Sequence, residues 1–171
     1  MQILQSIAAD LPVIFELYKQ AVDYQKKTFP GNIWPDFPKE MIEKEIQQGK
    51  QFKLVIDGQI ACVWAITYSD PIIWKNDDGK TALYIHRIAS SPNFRGHRLV
   101  ERIVSWAKEF VDDRPFLRLD TCGDNKRLIA HYQRCGFTFL GKKLLEDAGG
   151  LPAHYQHAEV CYFQLSLSAQ S

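Results

Sequence analysis

Apolar residues recur along this chain with two spacings, one typical of amphipathic helices and one typical of strands. Helical spacing is clear over about residues 98–112, where Leu99, Ile103 and Trp106 lie on one stripe. The preceding stretch TALYIHRIASS is apolar on both faces, which is the pattern of a strand in the middle of a sheet. This succession predicts a sheet with helices packed on it.

The other segments predict two helices before a hairpin, and alternating strands and helices after it. Asp10 is predicted to cap the first helix, which begins at Leu11-Pro12, and Asp57-Gly58 favours a two-residue hairpin turn. Besides the central strand, the predicted strands cover residues 2–7, 51–56, 59–68, 116–121, 137–142 and 160–167, and the remaining helices cover about 39–48 and 125–135. The order β-α-α-β-β-β-α-β-α-β-β predicts an α/β fold whose mixed central sheet has helices on both faces.

Length and composition narrow the class of protein. The 171 residues predict a single domain over 1–171, and the apolar and charged fractions are those of ordinary globular proteins. The 21 basic and 20 acidic residues nearly cancel, which disfavours a nucleic-acid partner. No apolar run approaches the ~20 residues of a membrane span, and the first residues lack the pattern of a secretory signal. We therefore expect a cytoplasmic protein, monomeric or homodimeric, that binds no membrane.

The cysteines and the C-terminal histidines could suggest redox or metal chemistry. The four cysteines are widely separated and form no CxxC pair, so we expect reduced, packed thiols. His154 and His157 precede Cys161 at short spacing, but no fourth ligand is evident. We expect no bound metal.

The segment HRIASSPNFRGHRLVERIVSWAKEF carries the first chemical signal. A buried strand stops, a short turn follows, and a long helix begins beside Arg95-Gly96. A helix N-terminus offers unpaired N–H groups and a positive dipole end, which suit a phosphate or diphosphate. His97, Arg98 and Arg102 add positive charge, although a surface turn with solvated arginines has the same pattern. Neither GxGxxG nor GxxxxGK[ST] occurs, which disfavours dinucleotide-fold and P-loop proteins.

A second segment, RLDTCGDNKRLIAHYQRCGFTFLG, again runs strand, turn, helix, glycine, strand. Together the two segments resemble the GNAT superfamily of N-acetyltransferases. The first is similar to the acetyl-CoA motif, typically R-L-A-V-x-P-x-[YF]-[RQ]-G-x-G-x-[GA]. The second is similar to N-x-x-[AS]-x-x-x-Y-x-x-x-GF, with Asn125, Tyr132 and Gly136-Phe137 in register. The segment order matches the family over essentially the whole chain, although the first 50 residues carry no sharp motif.

One departure concerns the Q/R-x-x-G-x-G/A core of the first motif. Arg95 fits its first place, whereas Arg98 and Val100 occupy the two places for small residues. Glycine usually serves there because the ligand approaches the backbone closely. A side chain at position 98 that points outward leaves its N–H able to donate, and its guanidinium could also reach the phosphates.

The resemblance implies a single GNAT-like domain that transfers an acetyl group directly from acetyl-CoA to an amine, which could be a small molecule or a peptide. The end of the central strand would pair with the pantetheine arm, the following turn would cradle the pyrophosphate, and a residue of the second motif would contact the cofactor arm. These cofactor-binding residues are Ile88, Ala89, Ser90, Arg95, Gly96, His97, Arg98, Leu99, Val100 and Asn125.

The resemblance also suggests catalytic groups. Tyr132 would lie near the thioester sulfur and protonate the departing thiolate, and its alternative is packing beside Leu128 and Ile129. A strand N–H near Ser90 could stabilise the oxyanion.

Two candidates for the general base follow from the strands. His86 shares a face with Tyr84, Ile88 and Ser90 by period two. Asp120 lies at the end of the neighbouring strand, and its alternative is an ion pair with Arg87 or Arg118. A water chain to bulk solvent would also serve.

Two segments are candidates for the acceptor site. His154 lies in the loop before the last strand, which often borders this site in the family. Trp34 and Asp36 in WPDFP could form the opposite wall, with Asp36 attracting a cationic amine; alternatively, WPDFP is a surface connection held by aromatic residues.

Three other functions remain open at this level. A GNAT-like acyl-CoA-binding sensor or regulatory domain would bind without turnover. An acyltransferase for a larger acyl-CoA would need a larger pocket near Tyr132. A plain interaction domain would show no thermal shift with CoA.

Overall fold

A computed structural model describes residues 1–75, 80–111 and 113–167 of the chain. The predicted order of strands and helices is confirmed, while Asp112, the predicted end of the third helix, lies outside the described residues. The strands are β1 (Gln2–Gln5), β2 (Gln51–Ile56), β3 (Gln59–Thr67), β4 (Ala82–Ser90), β5 (Phe116–Cys122), β6 (Thr138–Leu144) and β7 (Glu159–Ser166), and the helices are α1 (Leu11–Thr28), α2 (Lys39–Gln47), α3 (Leu99–Phe110) and α4 (Lys126–Arg134).

The strands hydrogen-bond in the order β1-β2-β3-β4-β5-β7-β6. Strands β4 and β5 run parallel, whereas β1–β2, β2–β3, β5–β7 and β6–β7 are antiparallel. The predicted mixed sheet is confirmed.

The chain forms two compact units. Unit 1 comprises Met1–Ile66 and His86–Leu99, and unit 2 comprises Thr67–Ile85 and Val100–Ser171. Strand β4 belongs to both, because residues 82–85 lie in unit 2 and residues 86–90 in unit 1.

Unit 1 contains β1 and α1, and the hairpin of β2 and β3 that the sequence predicts. Asp57 and Gly58 both have positive φ, 50° and 76°, as the favoured two-residue hairpin turn requires. Asp10 occupies the N-cap position of α1, but its side chain makes no cap, so that detail of the prediction is wrong. The carboxylate instead accepts hydrogen bonds from Ile7 N at 2.8 Å and from Lys53 Nζ at 2.6 Å, since an ammonium is a stronger partner than the helix N–H groups.

The core of unit 1 forms where the first two helices meet β3 and the end of β4. It includes Phe37 from the proline-rich segment between α1 and α2, so that segment is held by buried apolar contact. The buried members are Ile14, Leu17, Tyr18, Phe37, Ile42, Val63 and Ala89.

The core of unit 2 lies around β7, which pairs with both β5 and β6. Helix α4 in this unit starts at an Asn125 cap and is followed by Gly136 with φ of 98°, a left-handed conformation that favours glycine. The buried members of one cluster are Ile73, Trp74, Ala82, Tyr84, Leu145, Ala148 and Val160.

The cysteine prediction is confirmed: all four are free thiols, three of them buried and Cys122 half-buried. Among the described residues, no helix combines the length and apolar character that crossing a membrane requires.

Candidate active site

At the end of β4, the side chains offer few polar groups for binding a ligand, so the main-chain groups matter more. Ala89 is buried in the unit 1 core, Ile88 is half-buried, and Ser90 is exposed. The Ser90 hydroxyl donates to Cys62 Sγ at 3.4 Å, so this side chain already has a partner. Ser91 N donates to Ala61 O at 2.8 Å, which holds the strand end against β3.

A local departure from extended backbone occurs within β4. Arg87 has φ of 51°, and its guanidinium hydrogen-bonds to Glu45 Oε2 at 2.6 Å and lies 5.4 Å from the centre of the Phe37 ring. A left-handed residue inside a strand interrupts the alternation of side chains. The side chains of β4 therefore do not alternate regularly across Arg87, and period two no longer places His86 on one face with Ile88 and Ser90.

The turn after β4, residues 91–98 (the 91–98 turn), has an ordered backbone and an exposed surface. Ser91 Oγ accepts from Asn93 N at 3.3 Å and caps a short 3-10 turn. Arg95 is exposed, with its guanidinium 5.4 Å from the centre of the Tyr24 ring. A Cβ added to Gly96 would meet no atom within 4 Å. Close packing therefore does not explain why a glycine occupies this position. Its φ of 82°, a conformation that favours glycine, does explain it.

The backbone at Arg98 gives a second reason for the small residue that the family motif places there. Arg98 has φ of 53°, a conformation that costs an L-residue with a side chain roughly 1–2 kcal/mol. Its side chain is exposed, as is that of His97, whose ring centre lies 5.4 Å from that of Phe94. Leu99 and Val100 are buried, so Val100 packs inward.

The residues of the 91–98 turn fit an anionic diphosphate. An exposed turn carrying Arg95 and Arg98 leads directly into the N-terminus of the 12-residue helix α3. Helix N-terminal N–H groups and arginines are the donors that phosphate oxygens prefer.

In unit 2, the ring of Tyr132 packs in the core. Its centre lies 5.2 Å from that of Phe163 and 5.9 Å from that of Phe137, and the residue is 8% exposed. Asn125 Oδ1 accepts from Leu128 N at 3.2 Å, so this motif asparagine caps α4. Both residues thus have structural roles, and their predicted contacts with a cofactor stay predictions.

Asp120 has a partner that the sequence did not indicate. The Tyr155 hydroxyl donates to Asp120 Oδ2 at 2.7 Å, and the carboxylates of Asp70 and Asp120 have oxygens within 4.8 Å of each other. The pKa of Asp120 is raised to about 7, mainly by desolvation. The hydrogen bond from Tyr155 works against this shift, and the charge of Asp70 contributes to it. We call Asp70, Asp120 and Tyr155 the Asp120 cluster.

The arginines considered as partners of Asp120 have other partners. Arg118 Nη1 donates to Tyr84 Oη at 3.0 Å and its Nε to Gln164 Oε1 at 2.8 Å. Arg87 pairs with Glu45. The alternative in which an arginine pairs with Asp120 is therefore not supported.

His86, the other candidate base, is half-buried. Desolvation and, to a smaller extent, the positive charge of Arg87 together lower the pKa of His86 to about 3. His86 is therefore neutral across the physiological pH range and does not titrate near neutrality.

The candidate acceptor residues lie in both units. His154 is half-buried, and its ring centre lies 4.4 Å from that of Tyr155, the partner of Asp120. Trp34 contacts Tyr18 edge to face at 6.0 Å between ring centres, and Asp36 is exposed. The aromatic residues hold the WPDFP segment, as one alternative expected.

Sequence reasoning missed Asp70 and Tyr155. Tyr155 is 35 residues from Asp120 in the chain and reaches it from a short 3-10 turn, Ala153–Tyr155. No periodicity connects these positions. The weak signal was the length of the loop between β6 and β7, because long loops often carry function.

The two motif segments belong to one recognised family. A model of the acetyltransferase (GNAT) family matches residues 18–137, which is more than half of the chain and extends through Phe137. The chain therefore belongs to the acetyltransferase (GNAT) family, and the resemblance is confirmed.

Individual relatives agree with this assignment. The chain is 30% identical over 115 residues to the uncharacterized N-acetyltransferase YesJ of Bacillus subtilis (strain 168), and the match spans 64% of this chain but only 62% of that protein. A GNAT-family acetyltransferase from Listeria monocytogenes 4b F2365 has the same fold, with a TM-score of 0.72, 24% identity and coverage of 96% of this chain and 94% of that chain. The yncA protein of Salmonella typhimurium, solved with its cofactor acetyl-CoA, matches with a TM-score of 0.66 and 15% identity over 100% of this chain and 96% of that chain.

Proposed function

We propose that the protein is an acetyl-CoA-dependent N-acetyltransferase that passes the acetyl group directly to an amine. The observation that carries the proposal is the family match over residues 18–137, which includes the first motif segment and the second motif through Gly136-Phe137. The exposed 91–98 turn supports it, because its arginines and the following helix N-terminus are suited to a diphosphate.

The donor acetyl-CoA supplies the acetyl group as a reactive thioester. We assign its pyrophosphate to residues 95–100, with the exposed guanidiniums of Arg95 and Arg98 as donors. The main-chain N–H groups of Arg95 and His97 already donate to Pro92 O at 3.4 Å and to Phe94 O at 3.3 Å, so the main-chain donors are sought among the other residues of this stretch. We assign the pantetheine arm to the backbone of residues 88–90. The side chains there are apolar or already paired, which leaves main-chain groups as the recognition elements.

The pKa values support Asp120 over His86 as the general base. A general base acts best when its pKa lies near the working pH. Asp120, with a pKa of about 7, meets this condition, whereas His86, with a pKa of about 3, is too weak a base at neutral pH. We therefore assign the base role to Asp120.

In the proposed reaction, the ammonium form of the acceptor gives one proton to the Asp120 carboxylate, and the neutral amine attacks the thioester carbonyl. The N–C bond forms and the C–S bond breaks while a backbone N–H near Ser90 donates to the oxyanion. The leaving thiolate takes a proton from the Tyr132 hydroxyl, which regains one from the new amide nitrogen. Asp120 then releases its proton to solvent.

Calorimetry with acetyl-CoA and thiol release from a panel of amines test this function. The panel contains a free amino acid, a polyamine, an arylalkylamine, an aminoglycoside and a peptide with a free N-terminus. We expect binding and CoA release with at least one amine. Binding without release from any amine would contradict transfer and match a sensor, and absence of heat would contradict both.

A matched pair of variants locates the donor site. Arg95 and Arg114 each lie over a tyrosine ring, at 5.4 and 4.6 Å from its centre. Arg95→Ala should weaken acetyl-CoA binding roughly 5- to 10-fold, since one charge-assisted contact is lost. Arg114→Ala should leave it unchanged.

A further inference from the structure

We propose that Tyr155 and Asp70 are positioning residues for Asp120: Tyr155 orients the carboxyl group, and the nearby Asp70 carboxylate makes it a stronger base. The inference rests on the proposed function, because it gives these two residues a task only if Asp120 is the base. Neither Tyr155 nor Asp70 lies in a motif segment.

The contact from Tyr155 sets the direction of the carboxyl group. Its hydroxyl donates to Oδ2 at 2.7 Å, and its own backbone is held by the 3-10 turn in which Tyr155 N donates to Pro152 O at 3.1 Å. A single strong donor on one carboxyl oxygen restricts rotation about the last side-chain bond. The other oxygen, Oδ1, is then the one presented to a proton-bearing amine.

The nearby carboxyl group of Asp70 adds to the proton affinity of Asp120. Asp70 lies in the turn before Trp74, whose N donates to Asp70 O at 2.8 Å, so its place is fixed by backbone bonding. Two carboxyl groups this close do not both ionise readily, because like charges in a poorly solvated site repel. The charge of Asp70 therefore raises the proton affinity of Asp120, which makes the Asp120 carboxylate a better acceptor for the proton of an ammonium group.

Other titratable groups of unit 2 around Asp120 are neutral near pH 7. Cys122 lies on the same strand, and desolvation raises its pKa. Tyr162 pairs with Asp120 in the β5–β7 register, and desolvation raises its pKa too. Tyr155 is likewise neutral, with its pKa raised by desolvation. Asp70 is the neighbour in this unit whose charge shifts the pKa of Asp120, while Arg118, two residues away on β5, donates to Tyr84 and Gln164.

The two positioning residues act on Asp120 with opposite signs. Removing the Tyr155 hydroxyl takes away a donor that favours the carboxylate, which raises the pKa of Asp120. Replacing Asp70 by asparagine takes away a like charge, which lowers it. If the two residues only supported the fold, their substitution would not be expected to shift the pKa of Asp120 in opposite directions.

The test measures the pH profile of kcat/KM for Tyr155→Phe and Asp70→Asn, with acetyl-CoA and the panel amine that reacts fastest. We expect the acidic limb to move up by about one pH unit in Tyr155→Phe and down by about one unit in Asp70→Asn, each a tenfold change in the ionised fraction at a fixed pH on that limb. Tyr162→Phe is the matched control, because the Tyr162 hydroxyl donates to Ile73 O at 3.1 Å and its limb should stay in place.

A second readout, carboxyl carbon NMR of Asp120 in the protein without acetyl-CoA, follows the same titration in the absence of turnover. Opposite shifts in both readouts support the inference. Activity with unmoved limbs, or limbs that move in the same direction, would overturn it while leaving the proposed function intact. Opposite NMR shifts in a protein that acetylates no panel amine would overturn the proposed function and, with it, the catalytic role of the two residues.

Discussion

The 91–98 turn and the Asp120 cluster differ in how they hold their functional groups. The turn is continuous in sequence and exposed, and the donors proposed for it are main-chain N–H groups and two guanidiniums. Its φ angle is positive at Gly96 and at Arg98. The cluster brings together three separate segments in a poorly solvated place, where its chemistry depends on a side-chain carboxyl.

This difference predicts how each region responds to substitution. Backbone recognition depends on conformation, so a new side chain matters only when it changes φ or blocks access. A desolvated carboxyl depends on each neighbour, because a single donor or charge shifts its proton affinity. The turn should thus tolerate changes that the cluster does not.

The largest expected effect is in the cluster. Asp120→Asn should lower kcat/KM about 10²- to 10⁴-fold, the usual contribution of a general base, with acetyl-CoA affinity unchanged. Thiol release over the pH range and calorimetry measure the two quantities. Turnover within a factor of three of the parent protein would assign the base elsewhere, with a water chain as the next candidate.

The same substitution should change the pH dependence of stability. Because the folded-state pKa of Asp120, about 7, lies above its ordinary value of 3.8, the stability from its protonated form is fully present below about pH 4 and is lost as the pH rises through 7. The melting temperature of the parent should therefore fall more between about pH 5 and pH 8 than that of Asp120→Asn. If the melting temperatures of the parent and of Asp120→Asn fall equally between these pH values, the raised pKa is contradicted.

A smaller loss is expected at Tyr132. Tyr132→Phe should reduce kcat about 10- to 100-fold and leave acetyl-CoA affinity nearly unchanged, since a thiolate leaves more easily than an amine and needs less protonation. The buried ring remains, so the fold is kept. A loss confined to acetyl-CoA affinity would refute the role of Tyr132 as an acid.

The smallest effects are expected in the turn, where two substitutions should act with different signs. Gly96→Ala forces a Cβ into a left-handed conformation and should lower the free energy of unfolding by about 1 kcal/mol. Arg98→Gly relieves the same conformation, so it should leave stability unchanged or raise it by up to about 1 kcal/mol and retain acetyl-CoA binding.

Thermal melts and calorimetry measure both variants. A large loss of acetyl-CoA affinity in Arg98→Gly would show that its guanidinium, and not the backbone, holds the ligand.

Local patterns were sufficient for most of the fold. Asp57-Gly58 predicted the hairpin because its two residues readily adopt positive φ, and Gly136 predicted the end of α4 for a related reason. Asp10 shows the boundary of such reasoning. Asp10 does lie at the predicted position before α1, but its carboxylate accepts a hydrogen bond from Lys53, on strand β2, and does not cap the helix.

The candidate site divides in the same way. Arg95, Gly96, Asn125 and Tyr132 could be selected because motif spacing is a property of the chain. The positive φ of Arg87 and the partner of Asp120 could not be predicted from the sequence. Each depends on contacts that form only in the folded protein.

The amino-acid sequence by itself determined the order of elements, the family and the turn before α3, because hydrophobic period and turn chemistry act over a few neighbouring residues. The tertiary structure alone decided that Tyr155 and Asp70 surround Asp120, and that His86 is neutral. The physical reason is that desolvation and through-space charge depend on which distant segments come together, and a linear spacing contains no such distance.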